Sequence, residues 1–199
     1  MKLILVRHGE TCWNEEKRVQ GGSSDIELSD VGVKQAHKLA SFLKNEDIAA
    51  MVSSPLKRAR ATADAIASQH QLLVELSNGL KELEVGEFEG MPISTLNTTF
   101  SQFLMRWWDE GGAKRLPGGE SLVELQRRSW VAIEHLLANH KGGVVVVVSH
   151  YFVILAVIFK AIDLPLNSLT KFRVNPGGVS ILEIEDYGTR LVGFNDTSY

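Results

Sequence analysis

Five consecutive valines at 144–148 restrict the fold of this chain more than any other feature. β-branched residues favour strands, and a strand that is apolar at every position suits a sheet covered on both faces. Apart from two polar residues, the apolar run continues to Phe159. Because the run is shorter than the roughly 18 residues that a membrane span requires, we predict a buried strand followed by a buried helix over about 152–162.

Strand-like and helix-like segments alternate along most of the chain. This alternation is typical of an α/β domain. We therefore expect a three-layer α/β sandwich, in which helices flank a mostly parallel central sheet. Short apolar runs predict strands at 2–6, 48–53, 72–76, 144–148, 179–185 and 190–194. Apolar residues at helical spacing predict helices that begin at Ser29 or Asp30, at Ser54-Pro55, at Glu120 and at Phe152.

The length of 199 residues fits one domain with a modest insertion, so we expect a single domain over 1–199. The segment at approximately 91–118 is rich in aromatic side chains and ends in glycines. We interpret it as a small helical lid insertion over the site. Its residues Arg106, Trp107 and Trp108 either pack within this lid or contact the group that leaves the substrate.

Charge and cysteine content exclude several classes of protein. The net charge is −3, whereas a surface that binds nucleic acid needs a basic face, so we expect no nucleic-acid partner. Cys12 is the only cysteine, which suits a reducing compartment. No secretory signal is visible, and we expect a cytoplasmic protein with no membrane partner. Residues 179–185 could supply an edge strand for pairing, which leaves a monomer and a homodimer both open.

Polar side chains with catalytic chemistry follow four of the predicted strands. In an open α/β sheet, ligands bind beyond the carboxyl ends of the strands. Each of these side chains alone has an ordinary structural interpretation, as a core histidine or a solvated surface charge. Their coincidence at one edge of the sheet is difficult to explain by packing. They are Arg7 and His8 after the first strand, Arg58 after the second, Glu82 after the third and His150 after the valine strand.

These side-chain types suit the transfer of a phosphoryl group. A neutral imidazole such as that of His8 can attack phosphorus through one ring nitrogen, while the other nitrogen fixes the tautomer. The guanidinium groups of Arg7 and Arg58 can bind phosphate oxygens in bidentate fashion. His150, if protonated, would add a further donor. Glu82 could protonate the leaving oxygen as a general acid, since burial and a nearby phosphate would raise its pKa.

At this point the motifs are similar to those of a known family. Arg7-His8-Gly9-Glu10-Thr11, followed by Trp13-Asn14, resembles the signature of the histidine phosphatase superfamily, the phosphoglycerate-mutase-like proteins. The resemblance runs along nearly the full chain. Further segments that match are Gln20-Gly21, Leu28-Ser29, Ser54-Pro55-Leu56, Arg58-Ala59, Glu89-Gly90, Pro117-Gly118-Gly119-Glu120-Ser121 and Val148-Ser149-His150.

The resemblance implies a covalent phosphohistidine intermediate on His8 and a small phosphorylated metabolite as substrate. It implies that Glu82 donates and accepts the proton. It also implies that no metal and no cofactor take part. The residues that the resemblance places around the phosphate or the transferred group are Arg7, Asn14, Gln20, Gly21, Arg58 and His150.

Two positions depart from the family pattern. Tyr151 follows the last histidine, where the family often has glycine. Its side chain could narrow the pocket or contact the substrate, while its backbone N–H could still bind the phosphate. Phe88 stands where the family often has tryptophan. Neither change removes a reacting group.

The resemblance leaves more than one function open. Mutases of the family carry long insertions, whereas the segment between Gly90 and Pro117 is short, which favours hydrolysis. Among the phosphatases, the chain resembles alpha-ribazole phosphatases, metal-independent phosphoserine phosphatases and broad-specificity phosphatases alike. The alternatives are phosphoryl transfer of the phosphoglycerate-mutase type and a non-catalytic module that binds phosphoesters.

Overall fold

In residues 1–140 and 142–199, which the computed structural model of the chain describes, six strands form one sheet. The strands are β1 (Lys2–Arg7), β2 (Ile48–Ser53), β3 (Val74–Leu76), β4 (Val144–Ser149), β5 (Val179–Glu185) and β6 (Gly188–Asp196). The α-helices are α1 (Cys12–Glu15), α2 (Asp30–Leu43), α3 (Lys57–Ser68), α4 (Ile93–Thr99), α5 (Ser101–Asp109), α6 (Leu122–Asn139) and α7 (Tyr151–Ala161). Short 3₁₀ helices lie at Asn78–Leu80, Gly86–Phe88 and Leu166–Lys171.

The strand order is β3-β2-β4-β1-β5-β6. The first four strands in this order are parallel, and β5 and β6 are antiparallel to their neighbours. The expectation of a mostly parallel central sheet is therefore confirmed. The expectation that residues 179–185 form an edge strand is wrong, because β5 pairs with β1 on one side and with β6 on the other. The edges of the sheet are β3 and β6.

Alternate residues of the central strands point to opposite faces of the sheet, and both faces are covered. Leu3 and Leu5 of β1 pack with buried residues of α6 and α7. Ile4 and Val6 pack on the other face, with buried residues of α2 and α3. The valines of β4 divide in the same way between the two layers. This double burial explains why these strands are apolar at every position and confirms the three-layer sandwich.

Several predicted element boundaries shift by a few residues. The helix expected from Ser54-Pro55 begins at Lys57, whose backbone N–H donates to Asp25 Oδ1 at 2.7 Å. A cap supplied from a distant residue is not visible in local sequence. The third strand begins at Val74, the first residue that pairs with β2, and the preceding Leu73 is 94% exposed.

The 91–118 segment contains the two helices α4 and α5, as expected for a helical insertion. Trp107 anchors the segment, since its side chain is buried and its indole N–H donates to the carbonyl of Lys114 at 2.7 Å. Phe88, outside the segment, packs against Phe100 and Phe103 with ring centroids 5.2 and 6.0 Å apart.

The most apolar helix, α7, spans only Tyr151–Ala161. Within the described ranges, no helix combines the length and the apolar character that crossing a bilayer requires.

Candidate active site

The carboxyl ends of the parallel strands bring the predicted residues together. β1 and β4 are neighbours in register, with Arg7 opposite Ser149. The next residues of the two strands, His8 and His150, therefore lie side by side, with ring centroids 5.1 Å apart. His8, Arg58, Glu82 and His150 are all buried. Such burial of charged and polar groups at one sheet edge is typical of a functional site.

Hydrogen bonds orient the imidazole of His8. Nδ1 lies 2.7 Å from the carbonyl oxygen of Gly9, which can only accept, so Nδ1 carries the proton. The lone pair is then on Nε2. Burial, reinforced by the charges of Arg58 and Arg7, lowers the pKa of His8 well below its ordinary value of 6.5. The ring is therefore neutral at neutral pH and has a nucleophilic nitrogen.

The loop after His8 rests directly on α2 and α3. The Gly9 N–H donates to Thr62 Oγ1 at 3.1 Å, and the Glu10 N–H donates to Gln35 Oε1 at 2.7 Å. A Cβ atom at Gly32 would lie 2.0 Å from the Glu10 carbonyl oxygen. Only glycine at this position of α2 permits such a close approach.

Arg58 is held by backbone oxygens. Nη1 donates to the carbonyl of Ser24 at 2.8 Å, and Nη2 donates to the carbonyl of Gly21 at 2.9 Å. Burial lowers the pKa of the guanidinium, and the carboxylates of Glu82 and Glu89 oppose this effect. The remaining donor, Nε, is buried and has no hydrogen-bond partner among the described residues.

The backbone of Gly21 is bound by Arg58 and Glu89. Its carbonyl accepts from Arg58, and its N–H donates to Glu89 Oε1 at 2.9 Å. It is absent from the lining of the cavity that His8 borders, whereas Asn14 and Gln20 line it. Arg58 and His150 are absent from this lining as well, so substrate contact by Gly21 stays a prediction, although both of its backbone polar groups are engaged within the protein.

Arg7 and Tyr151 form one wall of the site. Arg7 Nη1 donates to the carbonyl of Val174 at 2.6 Å, and its Cζ lies 5.4 Å from the centre of the Tyr151 ring. Burial lowers the pKa of Arg7 to about 10, which still leaves the side chain cationic at neutral pH. The Tyr151 hydroxyl donates to the carbonyl of Phe172 at 2.9 Å, so this side chain presents its ring to the cavity. As the first residue of α7, Tyr151 makes no intrahelical hydrogen bond through its own N–H.

A serine hydroxyl orients His150. Nε2 lies 2.8 Å from Ser54 Oγ, which also accepts a hydrogen bond from the Leu56 N–H at 3.3 Å. The direction of this bond depends on the tautomer of the ring; we assign the hydroxyl as the donor to Nε2, which places the ring proton on Nδ1. Burial, and then the charge of Arg58, lowers the pKa of His150 well below 6.5. The ring is neutral in the free site, yet Nδ1 still offers a donor.

Glu82 is held at the amino end of α7. Its Oε1 accepts from the Leu83 N–H at 2.8 Å, and its Oε2 accepts from the Phe152 N–H at 3.2 Å. Both bonds favour the carboxylate. Burial has the larger effect and raises the pKa of Glu82 above its ordinary value of 4.5. The side chain is therefore suited to hold a proton at higher pH than an exposed glutamate.

An ion pair supports the loop that carries Glu82. Arg128 of α6 donates to the carbonyls of Gly79 at 2.8 Å and of Glu82 at 2.9 Å. Its Nη2 lies 2.6 Å from Glu120 Oε1, which also accepts from the Glu84 N–H at 3.0 Å. Arg128 was not among the predicted site residues. Helical spacing does not relate it to Glu120, because Glu120 precedes α6 and Arg128 lies within it.

A cavity of about 390 Å³ opens beside these residues. Arg7, His8 and Glu82 line it, as do side chains of the 91–118 segment, whereas Arg58 and His150 do not. Trp107 and Trp108 line it, whereas Arg106 does not.

Buried nitrogen donors border this site without hydrogen-bond partners in the part of the chain that the structure describes. Buried donors normally have partners, so this cluster indicates an acceptor-rich ligand such as an oxyanion. No three His, Cys, Asp or Glu side chains within 1–140 and 142–199 are arranged to hold a metal ion. The donors are Arg7 Nε, Gln20 Nε2, Arg58 Nε and His150 Nδ1.

Comparison with known proteins supplies the family. The model of the histidine phosphatase superfamily (branch 1) matches residues 3–197. The chain is 32% identical over 186 residues to a probable phosphoglycerate mutase GpmB of Yersinia pestis, and the match covers 94% of this chain and 86% of that protein.

Solved structures with similar folds include proteins described as phosphatases. A phosphoserine phosphatase from Entamoeba histolytica, in complex with phosphoserine, has a TM-score of 0.87 and 31% identity, and the match covers 99% of this chain and 98% of that one. A putative alpha-ribazole-5'-P phosphatase from Escherichia coli has a TM-score of 0.86 and 27% identity, with 98% and 96% covered.

Proposed function

The chain belongs to the histidine phosphatase superfamily (branch 1), and we propose that it is a phosphatase that hydrolyses a small phosphomonoester through a phosphohistidine on His8. The observation that carries this proposal is the state of His8. Its ring is neutral, its Nδ1 proton is held by Gly9, and its Nε2 lone pair lies among buried donors that lack partners. A nucleophile placed among oxyanion donors is suited to attack phosphorus.

The first step forms the enzyme–phosphate bond. The Nε2 lone pair of His8 forms a bond to phosphorus while the bond from phosphorus to the ester oxygen breaks. The carboxyl proton of Glu82 moves to the leaving oxygen, so that the alcohol departs neutral. Arg7, Arg58 and the Nδ1–H of His150 donate to the equatorial oxygens, where negative charge is concentrated.

The second step returns the enzyme to its starting state. A water molecule attacks phosphorus, and the carboxylate of Glu82 takes its proton. The nitrogen–phosphorus bond breaks, inorganic phosphate leaves and His8 is again neutral. Glu82 thus acts as acid and then as base, which a pKa raised by burial favours. Neither step requires a metal or a cofactor.

Mutase-type transfer is the alternative, because the curated relative is named as a probable phosphoglycerate mutase. A mutase must bind a molecule that carries a carboxylate as well as phosphate, and so needs cations for more than one anionic group. The cations that line the cavity among the described residues are Arg7 and Arg18. Arg18 Nε is already 2.6 Å from Glu16 Oε2. This pairing, together with the short 91–118 segment, favours hydrolysis.

Phosphate release with EDTA present tests the proposed function. The panel is alpha-ribazole 5'-phosphate, phosphoserine, 3-phosphoglycerate and p-nitrophenyl phosphate. We expect His8→Ala to lower kcat/KM by at least about 10³-fold, because it removes the attacking atom. His37→Ala is the matched control, since His37 is an exposed histidine of α2.

The outcomes of this experiment separate the alternatives. Full activity in His8→Ala would exclude His8 as the nucleophile. NMR can monitor the conversion of 3-phosphoglycerate to 2-phosphoglycerate. A conversion faster than phosphate release would favour the mutase. Binding of esters with neither reaction would favour a non-catalytic module.

A further inference from the structure

The cavity beside His8 is strongly asymmetric in polarity. Its reactive end carries Arg7, His8 and Glu82. The rest of the lining, which we call the far end and expect to face the alcohol part of an ester, is mostly apolar and comes from the Glu82 loop, the 91–118 segment and the start of α7. Its apolar side chains include Leu83, Val85, Phe88, Leu104, Trp108 and Phe152.

Cations in the cavity are already engaged. Arg7 lies at the reactive end and would bind the phosphate. Arg18 also lines the cavity, and its side chain is 42% exposed; its Nε donates to Glu16 Oε2 and its Nη1 donates to the carbonyl of Gly90 at 3.0 Å. The other polar residues of the lining away from the reactive end, Asn14 and Asn97 among them, are neutral. Among the described residues, a carboxylate on the alcohol part of a substrate would therefore meet only Arg18, a cation that the Glu16 carboxylate already partly neutralises.

Aromatic rings form a continuous wall from the reactive end to the far end. The Tyr151 and Phe152 rings are 5.0 Å apart, Phe152 and Trp108 stack at 6.0 Å with planes 26° apart, and Trp108 and Trp107 are 4.7 Å apart. The polar atoms of Tyr151 and Trp107 are bound to backbone carbonyls. This wall thus offers ring faces and edges to a ligand, and such surfaces favour another flat ring.

The volume limits the size of the alcohol. A cavity of about 390 Å³ lies near the lower end of the range for small-molecule sites. A phosphate group at the reactive end occupies part of this space. The remainder suits an alcohol with one ring or a small fused ring system.

Resting on the phosphatase proposed above, we infer that this enzyme takes monoesters whose alcohol is apolar, uncharged and ring-containing. The apolar far end, the engaged cations and the aromatic wall each favour such a group. Esters of hydroxy acids, such as phosphoserine and 3-phosphoglycerate, are then poor substrates. Trp108 is the specificity-determining residue of this site, since it belongs to the 91–118 segment and stacks on Phe152 of α7, which links the two parts of the aromatic wall.

Four alkyl monoesters test this inference in the unmodified protein. They are 2-phenylethyl phosphate, ethyl phosphate, phosphoserine and 3-phosphoglycerate, which all release a primary alcohol and so depend similarly on Glu82. We expect kcat/KM for 2-phenylethyl phosphate to exceed each of the others by about 30-fold or more, because only its ring buries apolar area in the cavity. Equal or faster turnover of phosphoserine or 3-phosphoglycerate would overturn the inference.

Two variants locate the preference. Trp108→Ala should lower the ratio of kcat/KM for 2-phenylethyl phosphate to that for ethyl phosphate by about 10-fold. Met105→Ala is the matched control, because Met105 lies on the same helix, is 62% exposed and does not line the cavity. Leu104→Arg adds a cation to the far end and should shift the preference toward phosphoserine by about 10-fold.

Failure of this inference can be distinguished from failure of the proposed function. Hydrolysis of all four esters at similar rates, with no change of ratio in Trp108→Ala, would exclude the apolar specificity and leave the phosphatase intact. No phosphate release from any ester, p-nitrophenyl phosphate included, would refute the phosphatase and the inference together.

Discussion

Burial sets the protonation of the reacting side chains, in opposite directions for acids and bases. It raises the pKa of Glu82 and lowers the pKa values of His8 and His150, so all three tend toward their neutral forms. A neutral histidine is the nucleophilic form, and a protonated glutamate is the acidic form. Burial therefore favours the protonation states of His8 and Glu82 that the proposed first step requires.

Glu82→Gln tests the general acid. We expect a loss in kcat of about 10²–10⁴-fold for an alkyl ester, whose alkoxide leaves poorly without a proton. The loss for p-nitrophenyl phosphate should be much smaller, because its phenolate needs little help. In the wild type, turnover of the alkyl ester should fall as pH rises through the raised pKa of Glu82, and this limb should be absent in the variant. Equal slowing of both esters would remove Glu82 from this role.

Thermal unfolding supplies the control for Glu82→Gln. A carboxyl group whose pKa is raised in the folded state lowers the free energy of unfolding as pH rises from 4.5, its ordinary pKa, through its folded-state pKa. The glutamine has no such loss. Its amide nitrogen, however, cannot accept one of the two backbone N–H bonds that Glu82 receives. A Tm for the variant well above the assay temperature would show that reduced activity is not due to unfolding.

Helix α6 positions the loop that carries the acid. Arg128 binds the carbonyls of Gly79 and Glu82 and is itself held by Glu120. The Arg128 side chain is 26% exposed and that of Glu120 is 10% exposed, so this ion pair is largely shielded from solvent. Arg128 bonds to the backbone of Glu82 and not to its carboxyl group, so we propose that it acts through Glu82 as a positioning residue.

Arg128→Gln should therefore reproduce part of the Glu82→Gln effect. We expect kcat for alkyl esters to fall by about 10–100-fold, with a smaller loss for p-nitrophenyl phosphate. Arg128→Lys should recover part of the activity because it keeps the charge near Glu120. The neighbouring Arg127 is exposed, and Arg127→Gln is the matched control. A uniform loss for both esters in Arg128→Gln would indicate a general structural role.

The complete fold assembles buried positive charge at one edge of the sheet. Arg7 and Arg58 lie near each other, and burial lowers the pKa of both. β1 supplies one of them and the start of α3 the other, and the loops after β3 and β4 complete the site. Burying these charges away from water is unfavourable, and we expect a bound dianion to offset this cost.

Phosphate binding should consequently stabilise the whole chain. At about 100 times its Kd, inorganic phosphate should raise the free energy of unfolding by about 2.7 kcal/mol, and Tm by about 5–10 °C for a chain of this size. Differential scanning fluorimetry measures this shift, with sodium chloride at equal ionic strength as the control. Arg58→Gln should lose most of it, and an equal shift in that variant would contradict the assignment of the phosphate site.

Local sequence was sufficient to predict the fold class and the edge of the sheet where the candidate site lies. The valines of β4 identified a doubly covered strand, because every side chain of such a strand is buried. The site residues could be predicted because each directly follows, or lies near, the carboxyl end of a recognisable strand, and these ends meet at one edge of the sheet. They are Arg7, His8, Arg58, Glu82 and His150.

Long-range packing accounts for the rest. Asp25 caps α3 from 32 residues away, and the Phe152 N–H meets Glu82 from 70 residues away. The same holds for the engagement of Gly21 by Glu89, for the internal position of β5 and for the support of Glu82 by Arg128. Strand and helix preferences depend on neighbours a few positions apart, and sequence displays these neighbours directly. Partners across the fold, and the apolar cavity they enclose, depend on how completed elements pack, which no local pattern records.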